Sequence, residues 1–148
     1  MSKLVICSSV TFYPELPALK KEFEALGLEV TIPIMAAEFE RPVSPQEMKT
    51  LLNTENVTPA SKRHFIEAYF SEIEKGDLVL AYNKSKYQIS GYIGPNVLME
   101  LSLGFFLKKQ LFVWQAVSEK VHGAEELRAM DVHDLGGVTK NILKFLKN

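Results

Sequence analysis

Glu100 is the residue of this sequence whose setting most needs a chemical explanation. It is the only ionisable side chain between residues 95 and 107, a segment in which most other residues are apolar. A helix that is apolar nearly all round is a buried helix, and an unpartnered carboxylate costs several kcal/mol to bury. We therefore expect Glu100 to be hydrogen-bonded to neighbouring backbone, protonated, or facing a cavity where its carboxylate could act on a ligand.

A glycine-containing loop precedes this helix. Residues 91–94 read Gly-Tyr-Ile-Gly, and Pro95 follows as a favourable first-turn residue. The free N–H groups and the dipole of a helix N-terminus favour an anion or an oxygen-rich group. Asn96 lies one turn before Glu100 and Gly104 one turn after it, on the same face. Gly104 is expected to leave room on that face for a partner or a ligand.

Hydroxyl side chains follow the first apolar run of the chain. Ser8, Ser9 and Thr11 could donate hydrogen bonds to a phosphate or a ribose hydroxyl, although serine and threonine are also ordinary loop residues. Phe12 and Tyr13 could stack on a base, or they could pack under the helix that follows. This loop is therefore a second candidate for ligand binding.

Apolar periodicity predicts the elements that position these residues. Short apolar runs rich in β-branched residues predict strands, and apolar residues that recur every three or four positions predict helices. The predicted strands cover residues 4–7, 28–34, 78–82 and 111–114, with a weak fifth strand near Val132. The predicted helices cover residues 16–26, 46–52, 65–73, 95–107, 124–130 and 138–146.

The alternation of strands and helices implies a parallel sheet that is covered on both sides. A chain of 148 residues fits one domain. We expect a single α/β domain over residues 1–148, a flavodoxin-like or Rossmann-like three-layer sandwich with about five parallel strands. In such sheets ligands bind at the carboxyl ends of the strands, near the point where the strand order reverses. A site is therefore expected in the loops that begin at Ser8, Asn83 and Gln115.

Several chemistries that occur on α/β folds lack their motif here. A phosphatase loop would join Cys7 to an arginine at position 13, where this chain has Tyr13. A receiver domain needs an acceptor carboxylate at the end of its third strand, where this chain has Asn83. Neither a G-x-G-x-x-G turn nor a Walker loop is found, so dinucleotide and nucleoside triphosphate sites have no motif support.

Composition limits the classes of function and partner that remain. The net charge is −1 and basic residues are not clustered, which argues against a nucleic-acid partner. The single cysteine, Cys7, cannot form an internal disulfide or a pair of zinc ligands, and it fits a reduced, cytoplasmic setting. No apolar run approaches the ~18 residues of a membrane span. We expect a cytoplasmic globular protein that uses no metal and no cofactor and has no membrane contact.

Three segments carry a resemblance to a known family: residues 76–83, residues 91–96 and residues 99–104. They resemble the nucleoside 2-deoxyribosyltransferase-like superfamily, which includes the 2′-deoxynucleoside 5′-phosphate N-hydrolases. The resemblance covers most of the chain, and its most specific part runs from the Gly-Tyr-Ile-Gly loop to Glu100. By this resemblance Glu100 matches the nucleophile that attacks the anomeric carbon of the deoxyribose. A covalent glycosyl-enzyme forms, and a second nucleobase or water then collects the sugar.

The same resemblance implies the ligand and the assembly. The substrate would be a nucleoside or nucleotide, and the expected substrate-binding residues are Ser8, Ser9, Asn83, Tyr92, Gly94 and Asn96. Enzymes of the family complete each active site with residues of a neighbour, so at least a homodimer is expected. The contact would use the face of residues 91–107 or the segment 35–58, whose apolar side chains could instead fold back onto their own core: Met35, Phe39, Val43, Met48 and Leu51.

Two departures from the family pattern keep other functions open. Asn83 stands where the transferases carry an acidic residue that handles the base proton, and the first loop lacks an arginine or a Gly-rich phosphate cradle. One alternative is a non-catalytic module that binds a nucleotide on the same fold. Another is an FMN-type electron carrier, which a purified protein without yellow colour would exclude.

Tyr92 or Tyr87 is a candidate to orient Glu100, whereas His64 is expected on the surface.

Overall fold

The computed structural model describes residues 1–53 and 58–146. The strands are β1 (Lys3–Cys7), β2 (Glu29–Thr31), β3 (Leu78–Ala81), β4 (Gln110–Val113) and β5 (His133–Asp134). The α-helices are α1 (Leu16–Glu24), α2 (Ile34–Ala37), α3 (Pro45–Leu51), α4 (Pro59–Lys75), α5 (Pro95–Phe106) and α6 (Ala124–Ala129). Three 3₁₀ helices complete the described chain: Val10–Glu15, Glu38–Glu40 and Thr139–Phe145.

The five strands form one parallel sheet in the order β2-β1-β3-β4-β5. This is the flavodoxin-like order, and it confirms the fold expected from the sequence. The strand order reverses between β1 and β3, which pair in register from Leu4 opposite Leu78 to Cys7 opposite Ala81. The carboxyl ends of these two strands therefore open side by side at the point where ligands bind in such sheets.

Alternating side chains of the central strands build a core on each face of the sheet. In β1, Leu4 and Ile6 point to one face and Val5 and Cys7 to the other, and all four are fully buried. The first face is covered by the 3₁₀ helix after β1, by α1 and α2, and by the C-terminal 3₁₀ helix. The second face is covered by α4, α5 and α6. Cys7 thus points towards the layer that carries Glu100.

The prediction that residues 95–107 form a helix buried all round was wrong. Helix α5 is an outer-layer helix, so only one side of it packs on the sheet. It buries Val97, Leu101 and Gly104. Its other side exposes large apolar side chains: Met99 (42%), Phe105 (51%) and Phe106 (79%).

Other parts of the chain differ in detail from the prediction. Segment 35–58, expected to be irregular with one short helix, contains α2, the 3₁₀ helix Glu38–Glu40 and α3, while residues 54–57 lie outside the described residues. The last predicted helix is wound as the 3₁₀ helix Thr139–Phe145, with Ile142 buried. Across residues 1–53 and 58–146, every helix is too short or too polar to cross a membrane.

Candidate active site

Glu100 lies in the second turn of α5, close to the carboxyl end of β1. Gly94 precedes the helix at the N-cap position, and Pro95 opens it without needing an N–H partner. The helix places the largely buried Glu100 close enough to Cys7, Tyr13 and Tyr69 for its charge to act on all three. These three residues come from β1, from the 3₁₀ helix after it and from α4. Three separate elements thus enclose one carboxyl group.

The surroundings of Glu100 favour its protonated form. Burial raises the pKa of Glu100 to about 8, although a hydrogen bond with the Cys7 thiol acts in the opposite direction. None of the lysines and arginines in the described part of the chain forms an ion pair with it. A carboxyl whose pKa is raised by burial at the carboxyl end of a parallel sheet is a candidate for a functional group.

The side chains around Glu100 are held neutral for the same reason. Burial raises the pKa of the Cys7 thiol well above its usual value, and the nearby charge of Glu100 raises it further. Burial and then Glu100 also raise the pKa of Tyr13 to about 12. Tyr69, whose pKa burial raises in the same way, donates its hydroxyl to the carbonyl of Ile6. Of these neutral groups, the Cys7 thiol is the one that hydrogen-bonds to the carboxyl, while the Tyr69 hydroxyl is used by backbone.

Sequence reasoning did not place Cys7, Tyr13 and Tyr69 around Glu100. In the sequence, Cys7 bears on disulfide, zinc and phosphatase chemistry, and Tyr13 on stacking or packing. Tyr69 falls within the predicted helix 65–73 and carries no signal of its own. The usable signal was the position of Cys7 as the last residue of a strand at the expected switch point, because such residues line the ligand crevice.

Asn83 connects the loop after β3 with the loop after β4. Its side chain is 2% exposed, and its Nδ2 donates to the carbonyl oxygens of Gly91 (3.2 Å) and Gln115 (2.9 Å). Its Oδ1 accepts from the backbone N–H of Gln115 at 3.1 Å. Both ends of the amide are thus used to hold the loops that frame the site.

Ser8 and Ser9 directly follow β1, at the switch point between β1 and β3. The Ser8 hydroxyl donates to the carbonyl oxygen of Tyr82 at 3.3 Å, which ties the end of β1 to the end of β3. The Ser9 hydroxyl accepts a hydrogen bond from the Lys86 ammonium at 2.8 Å. Lys86 comes from the loop after β3, so this contact also crosses the switch point.

Tyr92 and Gly94 pack against each other at the start of α5. A Cβ on Gly94 would lie 3.3 Å from Cε1 of Tyr92, a tight contact that a bulkier residue would worsen. Tyr92 in turn packs edge to face against Tyr87, with the ring centroids 5.4 Å apart. Asn96, in the first turn of α5, is exposed. Tyr92 and Gly94 are half-buried.

Gly104 and His64 are the other two residues for which the sequence predicts a place in the structure. Gly104 does not leave room for a ligand: a Cβ there would lie 2.9 Å from Leu111 and 3.2 Å from Val79, so this glycine lets α5 approach the sheet. His64 is exposed on α4 beside Phe65. In the part of the chain that the structure describes, no group of three or more His, Cys, Asp or Glu residues is arranged to hold a metal ion.

The raised pKa of Glu100 predicts that stability falls as pH rises. Between pH 4.5, the ordinary value, and about pH 8, the folded chain holds a proton that the unfolded chain has lost. Glu100 should therefore lower the free energy of unfolding by at most about 1.4 kcal/mol for each pH unit in this range. Urea unfolding from pH 5 to pH 9 measures the difference in this free energy between wild type and Glu100→Gln. A difference that stays constant across this range would contradict the assignment.

Comparison with known proteins finds likeness among solved structures. No family model and no curated protein matches the sequence. Among solved structures, that of the Clostridium botulinum CMP N-glycosidase BcmB is similar, with a TM-score of 0.53, 14% identity and 97% of each chain covered. Likeness at this identity shows the fold. The protein therefore shares the α/β fold of a CMP N-glycosidase over nearly its whole length.

Proposed function

We propose that this protein cleaves the N-glycosidic bond of a nucleoside or of its 5′-monophosphate, with Glu100 as the nucleophile. The observation that carries the proposal is the position of Glu100. It is a partly buried carboxyl at the switch point of a flavodoxin-like sheet, hydrogen-bonded to the Cys7 thiol and free of any ion pair in the described chain. Structural carboxylates at such depth are normally paired with a cation or bound to several backbone N–H groups.

The proposed first step forms one bond and breaks one. A carboxylate oxygen of Glu100 attacks the anomeric carbon, C1′, as the bond from C1′ to the base nitrogen breaks and its electron pair stays on the base. The transition state resembles an oxocarbenium ion, which an adjacent carboxylate stabilises. Water, or a second base, then takes the sugar from the ester and restores Glu100.

The departing base must also receive a proton, and Asn83 cannot supply one. Because the pKa of Glu100 is about 8, the carboxyl carries a proton at neutral pH in the free protein. Transfer of that proton through water to the base nitrogen leaves Glu100 as the attacking carboxylate and balances the first step. The absence of an acid at position 83 is therefore compatible with catalysis.

The structural likeness supports the reaction class. BcmB is described as a CMP N-glycosidase, and its fold matches this chain over 97% of both. The segments that resemble the nucleoside 2-deoxyribosyltransferase-like superfamily indicate the same bond type. We propose on this combined ground that the substrate is a small nucleoside or nucleotide.

Free base is the product that tests the proposal. The purified protein should be incubated with the common ribo- and deoxyribonucleosides and with their 5′-monophosphates, and the mixtures separated by chromatography. We expect base to appear from at least one substrate. No base from any of them at high enzyme concentration would contradict the proposal.

A nucleotide-binding module without turnover is the second candidate. It is favoured by Asn83, whose buried amide is fully used by the backbone of two loops and leaves no acid at that strand end. The same panel separates the two functions. Tight binding of a nucleotide that is recovered intact would favour the binding module.

We also propose that the protein forms a homodimer through α4 and α5. These two helices are in contact with each other and expose four large apolar side chains: Phe65 (46%), Met99 (42%), Phe105 (51%) and Phe106 (79%). In segment 35–58, by contrast, Met35 is 36% exposed and the other apolar side chains named from the sequence are half-buried. A second copy on the α4–α5 face would cover these side chains and lie beside the helix that carries Glu100.

Light scattering at micromolar concentration should therefore give twice the 16.7 kDa mass of one chain. Phe106→Glu should shift the mass towards that of the monomer, because a charge would be buried in the contact. Lys120→Glu, an exposed change outside these helices, is the control. A wild-type mass of one chain would contradict the proposed dimer.

A further inference from the structure

We infer that Lys86 and Ser9 form a phosphate-binding pair, so that the substrate is a nucleoside 5′-monophosphate in preference to the free nucleoside. The inference rests on the proposed function for its substrate class. The sequence offered no cationic residue in the loop after β1. The structure supplies one from the loop after β3, because the hydrogen bond between Lys86 and Ser9 spans the switch point at 2.8 Å.

Lys86 is a positioned cation whose charge is not neutralised. Its ammonium lies 5.0 Å from the ring centroid of Tyr87 and 5.7 Å from that of Tyr92, in addition to its contact with Ser9. No carboxylate of the described residues lies within ion-pair distance of it. Lys84, only two positions earlier, pairs with Glu15 at 2.9 Å. Of these two lysines, Lys86 therefore keeps its charge available for an anion.

Ser9 adds a neutral donor beside this cation. Its oxygen accepts from Lys86, so its own proton remains free to point to a ligand. The neighbouring Ser8 hydroxyl is already used, since it points to the carbonyl oxygens of Tyr82 and Ser9. An ammonium and a hydroxyl that converge in this way match the acceptor oxygens of a phosphate.

The backbone that presents Lys86 is strained. Lys86 and Ile89 exchange both backbone hydrogen bonds, at 3.1 and 2.9 Å, across the two-residue turn Tyr87-Gln88. Both turn residues have positive φ, 53° for Tyr87 and 60° for Gln88, where glycine or asparagine is usual. Such strain persists at ligand sites when the surrounding structure fixes it. Here the turn fixes Lys86 against Ser9 and the two tyrosine rings.

The pair is also near the nucleophile. Ser9 lies two residues after Cys7, which hydrogen-bonds to Glu100. Two residues of extended chain span at most ~7 Å. A sugar held with its anomeric carbon at Glu100 would therefore have its 5′ side within reach of Lys86 and Ser9.

Equilibrium binding tests the inference without turnover. Titration calorimetry on Glu100→Gln protein should compare each nucleoside with its 5′-monophosphate, alone and with Lys86→Gln or Lys84→Gln added. We expect Lys86→Gln to reduce the preference for the monophosphate by about 10- to 100-fold, the usual effect of a charged hydrogen bond. Lys84→Gln should leave that preference within about twofold, because Glu15 already neutralises Lys84. Lys86→Arg should keep most of the preference.

The outcomes separate this inference from the proposed function. If nucleosides and monophosphates bind equally well to the parent protein, or neither binds at millimolar concentration, the inference is overturned. The inference is also overturned if Lys86→Gln weakens the binding of nucleosides and monophosphates equally, or if Lys84→Gln reduces the monophosphate preference as much as Lys86→Gln does. If the monophosphate preference depends on Lys86 while wild type releases no base, the phosphate site stands and the catalytic proposal fails.

Discussion

Glu100→Gln is expected to lower the rate of base release by at least about 1000-fold, the scale on which loss of a covalent nucleophile acts. Glutamine keeps the size of the side chain and can still contact the Cys7 thiol, but its amide cannot form the glycosyl ester. The fold should survive, because the burial that raises the pKa of Glu100 disfavours the charged form that glutamine lacks. At pH 8 and above the variant should even unfold at a higher temperature than wild type.

Glu67→Gln is the matched control for this change. Glu67 is an exposed glutamate of α4, so its loss should alter neither rate nor stability appreciably. Rates come from chromatography of free base, and unfolding is followed by circular dichroism. A Glu100→Gln variant that keeps full activity would remove Glu100 from the mechanism. A variant that no longer folds would assign it a structural role.

Gly91→Ala is expected to destabilise the protein by roughly 3–5 kcal/mol, the range of severe backbone conflicts. Gly91 is buried with φ of +63°, and a Cβ there would lie 2.1 Å from the carbonyl oxygen of Ala116. Because that atom belongs to backbone, one of the two loops must move. The carbonyl of Gly91 also accepts from Asn83, so the movement would disturb the hydrogen bonds that frame the site.

Gly136→Ala provides the comparison for Gly91. Gly136 has a similar φ of +59°, but a Cβ there would meet nothing within 4 Å. Its replacement should therefore cost only the left-handed backbone penalty, about 1 kcal/mol. Urea unfolding of both variants measures the two costs. Equal costs would mean that the contact with Ala116 is not the reason for glycine at position 91.

The fold could be predicted because its signals are local. The buried runs of β1, β3 and β4 lie between helices of clear period, and that alternation implies a parallel sheet. The exposed side of α5 could not be predicted, because apolar residues such as Phe106 look the same in sequence whether they face a core or a second molecule. The winding of Thr139–Phe145 as a 3₁₀ helix also depends on packing that the sequence does not display.

The candidate site was predicted in part. Glu100 stood out because a lone carboxylate in an apolar helix is costly, and that argument needs no structure. Its neighbours could not be named, because Cys7 and Tyr69 are far from it along the chain and only the sheet order brings them together. Lys86 was missed for the same reason, since its contact with Ser9 joins loops 77 positions apart.

The claim that Glu100 is the covalent nucleophile is tested most directly by mass spectrometry of the protein during turnover. A nucleotide whose sugar carries fluorine at C2′ should slow breakdown of the glycosyl-enzyme, because fluorine destabilises the cation-like transition state. After an acid quench and proteolysis, mass spectrometry should find the sugar phosphate on the peptide that contains Glu100, and the Glu100→Gln variant should carry none. Base release with no adduct, or an adduct on a peptide without Glu100, would contradict the account.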